Sequence, residues 1–510
     1  MINPALLTDG YKTGHHQQYP KGTTLVYSNF TPRSNKYAPK GCDKVVSFGQ
    51  QLIMKQIHDS FRRDFFDQPK EAVCNEIKEE LSLYLGTDYD VSHFEALHDL
   101  GYLPIKVKAL PEGSLVPIKV PVLTIYNTNP DFYWVTNYLE TLISNLLWKP
   151  MTSATIAFQY KRVLTEWALK TNQEAKEFVY WQGHDFSMRG MDSIEAVISS
   201  GLGHLTSFYG TDSLPAIHGA RKYYGAEGFV AGSVPATEHS VMCAGGKEDE
   251  IDTFRRLLET YPKGILSVVS DTWDLWKVCT EHVVTLKEEI MSRDGKLVIR
   301  PDSGDPVDIL CGYTVEHWVA DHRLESYGCP ESKGVIELLW DVFGGTINEQ
   351  GYKVLDSHIG AIYGDSITIG RANEICSRLA EKGFASTNVV LGVGSFTYQY
   401  NTRDTFGFAM KATYVEVNKP KFEGDFNPEG REIFKDPITD DGTKKSATGL
   451  LCVKDDHEGN YSLLDKVTWQ GEDSGKLQKI YQDGTFYNQV TLDEIRKQLD
   501  EVIINQFELV

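Results

Sequence analysis

Between about residue 176 and residue 404, short apolar runs alternate with stretches whose apolar residues recur at helical spacing. A polar turn that contains Gly or Asp follows each run. The runs are 178–181, 228–231, 265–269, 297–299, 359–363 and 389–391. Repeated strand-then-helix order is typical of parallel strands joined by crossover helices. The pattern therefore predicts a parallel α/β domain, built either as a barrel or as an open sheet.

Two of the predicted helices carry clear signals. Residues 192–195 read Asp-Ser-Ile-Glu, which resembles a capping box, and apolar residues recur at helical spacing from Ile194 to Leu205. A second helix is predicted to start at Asp365 and to end near Gly383, with one apolar face. The residues of that face are Ala372, Ile375, Cys376 and Leu379.

The two ends of the chain lack this alternation. In the first 150 residues, 105–110 and 115–126 read as antiparallel strands, and 132–147 reads as a helix. After about residue 405 a stretch rich in Gly, Asp and Lys (424–449) precedes two strand-like runs and a closing helix over 493–503. We expect this segment to pack with the N-terminal one. The predicted division is 1–150 (mixed α+β), 151–404 (parallel α/β) and 405–510 (packing with the first).

Composition and charge narrow the classes of partner. The chain has 510 residues, with 51 Lys and Arg against 71 Asp and Glu, so its net charge is -20. Such a charge repels nucleic acid and anionic membranes, and no apolar run approaches a membrane span. The first twelve residues lack a signal-peptide pattern. We therefore expect a soluble cytoplasmic protein that binds neither nucleic acid nor membrane.

Cysteine and histidine spacing gives no indication of a metal site. The eight cysteines are scattered without a C-x-x-C pair, and no H-E-x-x-H pattern occurs. The cysteines are interpreted as reduced thiols, and we expect no protein-bound zinc.

Residues suited to ligand binding follow each apolar run of the middle zone. Ligands of parallel α/β proteins bind at the carboxyl ends of the strands. One such ending alone could equally be a helix N-cap, but six at corresponding positions favour a shared site. The endings are His184-Asp185-Phe186 with Arg189, Ser233 with Glu238 and His239, Ser270-Asp271, Arg300 to Gly304, Gly364-Asp365, and Gly392 to Ser395.

The residue types indicate phosphate and sugar chemistry. Arginines hold anions through paired hydrogen bonds, glycine and serine let backbone N–H groups approach a phosphate, and aspartates accept hydrogen bonds from ribose hydroxyls. The candidates are Arg189, Arg300 and Arg403, then Gly394 and Ser395, then Asp302 and Asp365. The glycine stretch is not a P-loop. Lys411 and Lys435 add positive charge, although each could instead belong to a solvated face.

His239 has two interpretations. It follows Pro235, which would suit the first turn of a helix, so its ring could lie near amide groups that attract phosphate. There it could act as a nucleophile or transfer a proton. It could equally be a structural histidine bound to Glu238 or to a backbone carbonyl.

At these residues the sequence resembles the nicotinate/nicotinamide phosphoribosyltransferase family, and in particular its nicotinamide-using members. The match runs nearly end to end, from T-D-G-Y-K-T-G-H at Thr8 to D-E-I-R-K at Asp493. Other matching segments are H-D-F-S-M-R-G, S-V-P-A-T-E-H-S, V-V-S-D, R-P-D-S-G-D-P, Y-G-D and F-K-D-P. An R-x-D-S-G-D turn is shared with the nicotinate enzymes and does not separate the two activities.

The resemblance implies an activity and an assembly. Family members are homodimers with active sites at the subunit interface, in which a barrel-like α/β domain is completed by a second domain. Nicotinamide and phosphoribosyl pyrophosphate would give nicotinamide mononucleotide and pyrophosphate with Mg²⁺. ATP hydrolysis would be coupled through a phosphorylated histidine, here His239.

The resemblance also implies residue roles. Phe186 would stack on one face of the pyridine ring and Tyr11 of the partner subunit on the other, with Asp9 nearby. Asp212 would accept a hydrogen bond from the carboxamide and repel the carboxylate of nicotinate. The remaining expected substrate contacts are Arg189, Arg300, His239, Arg403, Gly394 and Ser395 at phosphate, Asp302, Gly364 and Asp365 at ribose, Lys411 and Lys435 near the anions, and Ser233, to which no particular part of the substrate is assigned.

Two departures from the family pattern bear on phosphate binding. The glycine-rich loop reads G-V-G-S-F, with Ser395 and Phe396 where relatives carry further glycines, and Gly360 stands where relatives carry an arginine. Two alternatives therefore stay open beside the leading interpretation. One is the nicotinate enzyme, and the other is a catalytically silent binding protein on the same scaffold.

Overall fold

The computed structural model describes residues 2–364, 366–435, 447–456 and 460–508. Two units make up the chain, and each contains segments that are distant in sequence. The first unit comprises Met1–Thr155, Ala220–Ala226 and Asn401–Gln498. The second comprises Ile156–Gly219, Glu227–Tyr400 and Leu499–Val510. The finer boundaries at 150 and 404 stay a prediction.

A six-stranded parallel sheet forms the centre of the second unit. Neighbouring strands are parallel throughout, as the alternating pattern predicts. In spatial order the strands are Gly210–Thr211, Gly183–Asp185, Val389–Val393, Ile359–Tyr363, Asp294–Arg300 and Lys263–Val269. All six therefore end at one edge of the sheet, where their following loops meet.

The segment 232–236 connects the two outer strands of this sheet. Gly232 forms a parallel bridge with Gly210 at one edge, and Ala236 forms one with Ser267 at the other. The Thr211 N–H donates to the Gly232 carbonyl at 3.1 Å, and the Ser267 N–H donates to the Pro235 carbonyl at 2.9 Å. The sheet is thus curled into a barrel-like form, and Ser233 lies in the segment that closes it.

Helices cover this sheet and bury its apolar residues. Strand residues such as Val268, Leu297 and Leu391 are fully buried in one continuous apolar core. The helices are Val179–Gln182, Ile194–Leu205, His239–Gly245, Glu250–Thr260, Leu275–Lys277, Val283–Thr285, Lys287–Ser292, Pro306–Cys311, Val315–Asp321, Pro330–Phe343, Ile369–Glu381 and Ser395–Gln399. Gln173–Phe178, Met188–Gly190, Leu324–Ser326 and Ser386–Asn388 are 3₁₀-helical, Val278–His282 is π-helical, and Gly345–Ile347 pairs with Lys353–Leu355.

The first unit contains a seven-stranded sheet made by both ends of the chain. Its spatial order is Pro428–Glu432, Ala409–Asn418, Thr23–Thr31, Leu123–Asn127, Ile105–Ala109, Gln478–Gln482 and Thr485–Phe486. All its pairs are antiparallel. Two ribbons join Lys44–Val46 to Leu115–Pro117 and Leu450–Asp455 to Tyr461–Val467. The predicted packing of C-terminal with N-terminal segments is confirmed, as is the fold class.

The first unit has helices of its own and shares three further helices with the second unit. Its own helices are His15–Gln18, Gln50–Phe61, Lys70–Leu85, Ser92–Leu100 and Trp469–Asp473, with 3₁₀ turns at Pro4–Leu6, Gly10–Gly14, Pro130–Phe132 and Arg403–Thr405 and a π-helix at Arg62–Phe66. Three helices contribute residues to both units: Trp134–Thr171, Leu214–Tyr224 and Leu492–Glu508. Among the described residues, no helix has the length and apolar character needed to cross a membrane.

Three sequence-based assignments were wrong. Residues 178–181, predicted as a strand, are helical, and the strand begins at Gly183, where backbone partners exist on both sides. The run 228–231 forms no strand, since Gly228 has a φ of +60° and pairing is limited to the bridge at Gly232. The strand predicted over 115–126 is interrupted at Lys119, whose φ is +75°. A short apolar run is compatible with both the helical and the strand period, so partners distant in sequence determine whether a strand forms.

The two predicted helices are present, with ends within a few residues of the predicted ones. Ser193 caps the helix Ile194–Leu205 by accepting from the Ala196 N–H at 3.1 Å, so the helix starts as predicted but its N-cap is one residue after Asp192, the N-cap that the capping-box pattern indicates. The helix expected from Asp365 begins instead at Ile369, after the N-cap Thr368. Its four predicted core residues are all buried, and Gly383 follows its end with a φ of +78°.

Candidate functional site

The carboxyl edge of the parallel sheet carries most of the predicted ligand contacts. Strands there end at Asp185, Thr211, Val269, Arg300, Tyr363 and Val393. The loops that follow supply further polar side chains, and the structure places several of these in direct contact. The sequence could predict the edge, because parallel strands share one direction. The contacts themselves come from the structure.

Asp212 lies at this edge between two hydrogen-bond donors. His184 Nε2 is 2.9 Å from Oδ1 of Asp212, and Ser233 Oγ donates to the same oxygen at 2.5 Å. Burial alone would raise the pKa of Asp212, but the hydrogen bonds from His184 and Ser233 hold it below its ordinary value. Asp212 is therefore a carboxylate at neutral pH, and its side chain is 42% exposed to a ligand.

His184 links this carboxylate to Phe186, because it contacts both residues. The rings of His184 and Phe186 have centroids 4.5 Å apart and are tilted by 36°. Gly392 lies beneath Phe186: a Cβ at Gly392 would stand 2.7 Å from Cδ2 of Phe186 and 2.8 Å from the Tyr363 carbonyl oxygen. The glycine thus makes room for the ring. Phe186 itself is half-buried and presents an aromatic surface at the strand end.

His239 is the first residue of the helix His239–Gly245, and Pro235, which the sequence suggested for the first turn, lies before that helix. Its Nδ1 is 3.2 Å from Oγ1 of Thr272. Its Nε2 is 3.9 Å from Oδ1 of Asp271 and 3.9 Å from Oδ2 of Asp302. No hydrogen bond joins the ring to Glu238, whose carboxylate accepts from Ser240 instead. The ring is half exposed and faces two carboxylates.

Asp271 holds the loops around His239 together. Its Oδ2 accepts from the Asp302 backbone N–H at 2.9 Å and from Ser303 Oγ at 2.6 Å. Its Oδ1 is buried and has no hydrogen-bond partner among the described residues. A buried carboxylate oxygen without a donor is costly, so this atom is suited to a cation or to a donor from a ligand.

Arg300 ends its strand at the centre of the edge. Its Nη2 donates to the Thr237 carbonyl at 2.5 Å, while its Nε is buried with no partner among the described residues. Burial lowers the pKa of Arg300, whereas the carboxylates of Asp302, Asp212 and Asp271 raise it. Arg189 is close enough to lower that pKa further. Two neighbouring guanidinium groups with free donors are suited to an anionic ligand.

Gly364 and Asp302 are adjacent. A Cβ at Gly364 would stand 2.7 Å from Oδ1 of Asp302, so any larger residue there would require that carboxylate to shift. Tyr363 Oη donates to the Gly304 carbonyl at 2.8 Å and fixes the turn that carries Asp302. Asp365, predicted to hold ribose beside them, lies outside the described residues.

Gly394 and Ser395 follow the strand Val389–Val393, and Gly394 is the N-cap of the short helix Ser395–Gln399. Oγ of Ser395 would lie 2.2 Å from a Cβ at Gly190, which places Ser395 against the turn that carries Arg189. Although Ser395 departs from the family pattern, its loop therefore still lies beside Arg189, a residue predicted to bind phosphate. At the other departure, Lys296 occupies space above Gly360: a Cβ there would be 3.3 Å from its Cδ.

The first unit contains a cleft of about 450 Å³. Four of the five predicted residues of this unit line it, and Lys435 does not. The lining residues are Asp9, Tyr11, Lys12, Arg33, Glu140, Thr141, Ser144, Asn145, Trp148, Arg403, Ala409, Met410 and Lys411. Lys435 is exposed just after the strand Pro428–Glu432.

Tyr11 is the most exposed aromatic side chain of this cleft, at 66%. Asp9 beside it is fixed by Thr141 Oγ1, which donates to its Oδ2 at 2.7 Å. Burial, followed by the charges of Asp9 and Glu140, raises the pKa of Tyr11. Lys12 is tied to Glu140 at 2.9 Å. The ring of Tyr11 is therefore neutral and available for stacking on a ligand.

Arg403 and Arg33 bring positive charge to the same cleft. Arg403 Nη2 is 3.1 Å from Oδ1 of Asp404, and Arg33 Nε donates to the Gly407 carbonyl at 3.1 Å. Burial and the charge of Arg403 lower the pKa of Arg33. Two cations that repel each other in one cleft favour an anionic ligand.

Sequence analysis missed three residues of these sites. His184 and Asp271 contact predicted ligand residues, and Arg33 lines the same cleft as Arg403, but none of the three received a role. His184 and Asp271 stood in motifs at strand ends, which was an available signal. No sequence signal marked Arg33, because its cleft is formed by segments about 370 residues apart. No cluster of three or more metal-binding side chains occurs in the described part of the chain.

Comparison with known proteins agrees with this architecture. Residues 181–492 match the nicotinate phosphoribosyltransferase (NAPRTase) family, and residues 3–107 match the N-terminal domain of nicotinamide phosphoribosyltransferase. The nicotinamide phosphoribosyltransferase of Acinetobacter baylyi is 51% identical over 98% of this chain and 97% of its own. That of Xanthomonas campestris pv. campestris is 33% identical over 98% of both chains.

Solved structures share the fold at low identity. The nicotinate-nucleotide pyrophosphorylase of Pyrococcus furiosus has a TM-score of 0.53 and 14% identity, covering 98% of this chain and 95% of its own. Human nicotinic acid phosphoribosyltransferase has a TM-score of 0.53 and 16% identity, covering 97% and 93%. The fold is that of the type II phosphoribosyltransferases. The chain belongs to the nicotinate phosphoribosyltransferase family and is a pentosyltransferase.

Proposed function

We propose that this protein is a nicotinamide phosphoribosyltransferase of NAD biosynthesis. It would join nicotinamide to phosphoribosyl pyrophosphate and release nicotinamide mononucleotide and pyrophosphate. The observation that carries the proposal is the ionised carboxylate of Asp212 at the sheet edge, adjacent through His184 to the aromatic ring of Phe186. A carboxylate accepts a carboxamide N–H and repels the carboxylate of nicotinate. The names of the relatives in Acinetobacter and Xanthomonas support the same substrate.

The reaction needs no general base for the nucleophile. The lone pair of the pyridine nitrogen forms the bond to C1′ of the ribose, and the bond from C1′ to the pyrophosphate oxygen breaks with its electrons. The ring nitrogen becomes positively charged, and no proton moves. Phe186 on one face and Tyr11 of the partner subunit on the other would hold the ring for attack.

Charge governs the leaving group and the sugar. Arg189, Arg300 and Ser395 from one subunit would bind phosphate groups, and Arg403 with Lys411 would add cations from the cleft of the other. Asp302, with Gly364 packed against it, would bind ribose hydroxyls and stabilise the positive charge that develops at C1′. This assignment uses Nε of Arg300, which has no hydrogen-bond partner within the described part of the chain, as an anion donor.

The donor set fits Mg²⁺. Mg²⁺ is usually held by one or two carboxylates together with substrate phosphates, and Asp271 and Asp302 both lie 3.9 Å from the same nitrogen of His239. The buried, unpartnered Oδ1 of Asp271 is suited to a cation. Bound there, the ion would neutralise the charge of the departing pyrophosphate.

We further propose that ATP stimulates the reaction by phosphorylating His239. Nδ1 of His239 faces Thr272, so Nε2 is the nitrogen available to attack the γ-phosphorus while the bond to ADP breaks. Asp271 and Asp302 lie beside that atom. The enzyme would act as a homodimer with shared active sites and in the cytoplasm, as suits charged phosphorylated substrates.

A competition assay tests the proposal. Purified protein is incubated with phosphoribosyl pyrophosphate, Mg²⁺ and equal nicotinamide and nicotinate, with and without ATP, and both mononucleotides are quantified. Mostly nicotinamide mononucleotide, in larger amount with ATP, is the expected result. Mostly nicotinate mononucleotide would assign the nicotinate activity instead. Absence of both products would indicate a silent scaffold.

A further inference from the structure

His184 touches both side chains that the proposed function assigns to the base. Its Nε2 is 2.9 Å from Oδ1 of Asp212, and its ring packs on Phe186 at 4.5 Å between centroids. The side chain is 11% exposed, so most of it lies behind the ligand surface and not on it. Its place in the site is thus that of a support between two contact residues.

The sheet reserves space for this ring on both sides. In the parallel register, His184 pairs with Gly392 on one neighbouring strand and with Gly210 on the other. A Cβ at Gly210 would stand 2.7 Å from Nδ1 of His184, and a Cβ at Gly392 would stand 2.7 Å from Phe186. Two glycines in register therefore let the imidazole and the phenyl ring lie over the strand ends. A larger residue at either position would displace one of the rings.

We infer that His184 is a positioning residue that sets the choice between nicotinamide and nicotinate. Its Nε2–H, together with Ser233 Oγ, holds Oδ1 of Asp212 and leaves Oδ2 for the carboxamide of the base. This inference rests on the proposed function and deepens it. Because the acceptor is a carboxylate, Nε2 is the ring nitrogen that carries the proton.

The two donors differ in how well they can hold the carboxylate. Ser233 is exposed, and its hydroxyl rotates about one bond, whereas the ring of His184 is fixed by Phe186 and by the flanking strands. Both hydrogen bonds lower the pKa of Asp212 against the effect of burial, and the charge of Arg300 acts in the same direction. Loss of the histidine donor would leave Asp212 easier to protonate and free to turn. Either change weakens the repulsion of nicotinate.

Substitutions at His184 separate the hydrogen bond from the volume of the ring. In His184→Gln the amide nitrogen can reach the position of Nε2, so the donor to Asp212 is kept. In His184→Asn the amide stands where Nδ1 stood and cannot reach Asp212, and His184→Leu has no donor. A hydrogen bond to a charged group is worth roughly 10- to 100-fold in a specificity ratio.

The measurement is kcat/KM for nicotinamide divided by kcat/KM for nicotinate, with the KM for phosphoribosyl pyrophosphate recorded in parallel. We expect His184→Leu and His184→Asn to lower the ratio about 10- to 100-fold and His184→Gln to keep most of it. The acid limb of kcat/KM for nicotinamide should also move to higher pH in the leucine variant, since the pKa of Asp212 rises there. A merely structural role would not shift that limb.

His358 offers a matched control. It forms a similar pair with Asp356, at 2.7 Å from Nδ1 to Oδ1, at the opposite end of the strand Ile359–Tyr363. Burial raises the pKa of Asp356, but hydrogen bonds from His358 lower it overall. His358→Leu therefore removes an equivalent pair from the same unit, and its specificity ratio should equal that of the wild type.

The outcomes distinguish this inference from the function on which it rests. A wild type that prefers nicotinate would overturn the proposed function. The role of His184 would still be tested by the change in the specificity ratio between each variant and the wild type. An unchanged ratio in His184→Leu, or an equal loss in leucine and glutamine variants that melt at the wild-type temperature, overturns the role of His184. If the leucine variant fails to fold, the comparison of His184→Asn with His184→Gln decides.

Discussion

Nε2 of His239 lies 3.9 Å from Oδ1 of Asp271, an oxygen that is buried and has no hydrogen-bond partner among the described residues. The pairing puts a half-exposed imidazole beside a carboxylate that is fixed through its other oxygen by Asp302 and Ser303. Such a carboxylate can hold a cation or orient a ring without moving. The arrangement depends on both residues, His239 and Asp271.

Incubation with radiolabelled ATP is expected to phosphorylate His239. The label should be acid-labile, as phosphohistidine is, and should be absent from His239→Ala. Loss of the label should coincide with loss of ATP stimulation. A label that persists unaltered in the alanine variant would assign the phosphorylated residue elsewhere.

Asp271→Asn is expected to reduce the ATP-stimulated rate about 10- to 100-fold, as is common when a carboxylate that supports a catalytic group or metal is lost. The asparagine can still accept from Asp302 and Ser303, so the loop should stay folded. The check is the rate with and without ATP over a range of Mg²⁺ concentrations. An unchanged dependence on both would mean that Asp271 only holds the loop.

Asp212→Ala is expected to abolish the preference for nicotinamide, because the repulsion of nicotinate disappears together with the acceptor. The ratio of kcat/KM values for the two bases should fall by about 10-fold or more. Competition between both bases in one reaction measures it directly. A variant that keeps the wild-type preference would remove Asp212 from the account of specificity.

Gly392→Ala is expected to raise the KM for nicotinamide about tenfold and to destabilise the protein by roughly 1 to 3 kcal/mol. The new methyl group would meet Phe186 and the Tyr363 carbonyl at 2.7 and 2.8 Å. Gly370→Ala is the control, since its Cβ would meet only Thr368 at 3.9 Å in a helix. Equal KM values for the two variants would show that the phenyl ring relocates at no cost to binding.

Glu112 should make the stability of the first unit dependent on pH. Burial raises its pKa to about 7, although the Gln51 N–H and Tyr224 Oη donate to it at 2.7 and 2.8 Å. A raised folded-state pKa means stability that is complete below pH 4.5 and falls as pH rises to about 7. The loss is about 3 kcal/mol. Urea unfolding from pH 5 to 8 should show a flatter profile for Glu112→Gln, and no change for the exposed Glu79→Gln.

The sequence alone determined that the middle of the chain forms a parallel sheet and that ligand residues lie at its carboxyl edge. Strand-helix alternation over 176–404 specified a parallel sheet, and the direction of parallel strands required Phe186, Arg300 and Gly394 to meet at one edge. The capping signal at Ser193 and the buried face of the helix Ile369–Glu381 were also fixed locally. Local periodicity suffices there because each signal depends on residues within one or two turns.

Tertiary structure decided what distant segments do to one another. Only the fold brings His184 and Ser233 to one oxygen of Asp212, places Asp271 beside His239, and puts Arg33 into a cleft with Arg403. The strand predicted at 178–181 forms instead at Gly183–Asp185, because its backbone hydrogen-bond partners are more than 25 residues away in sequence. Side-chain spacing along a chain sets which face a residue occupies, but contacts between faces depend on packing, which the linear pattern does not contain.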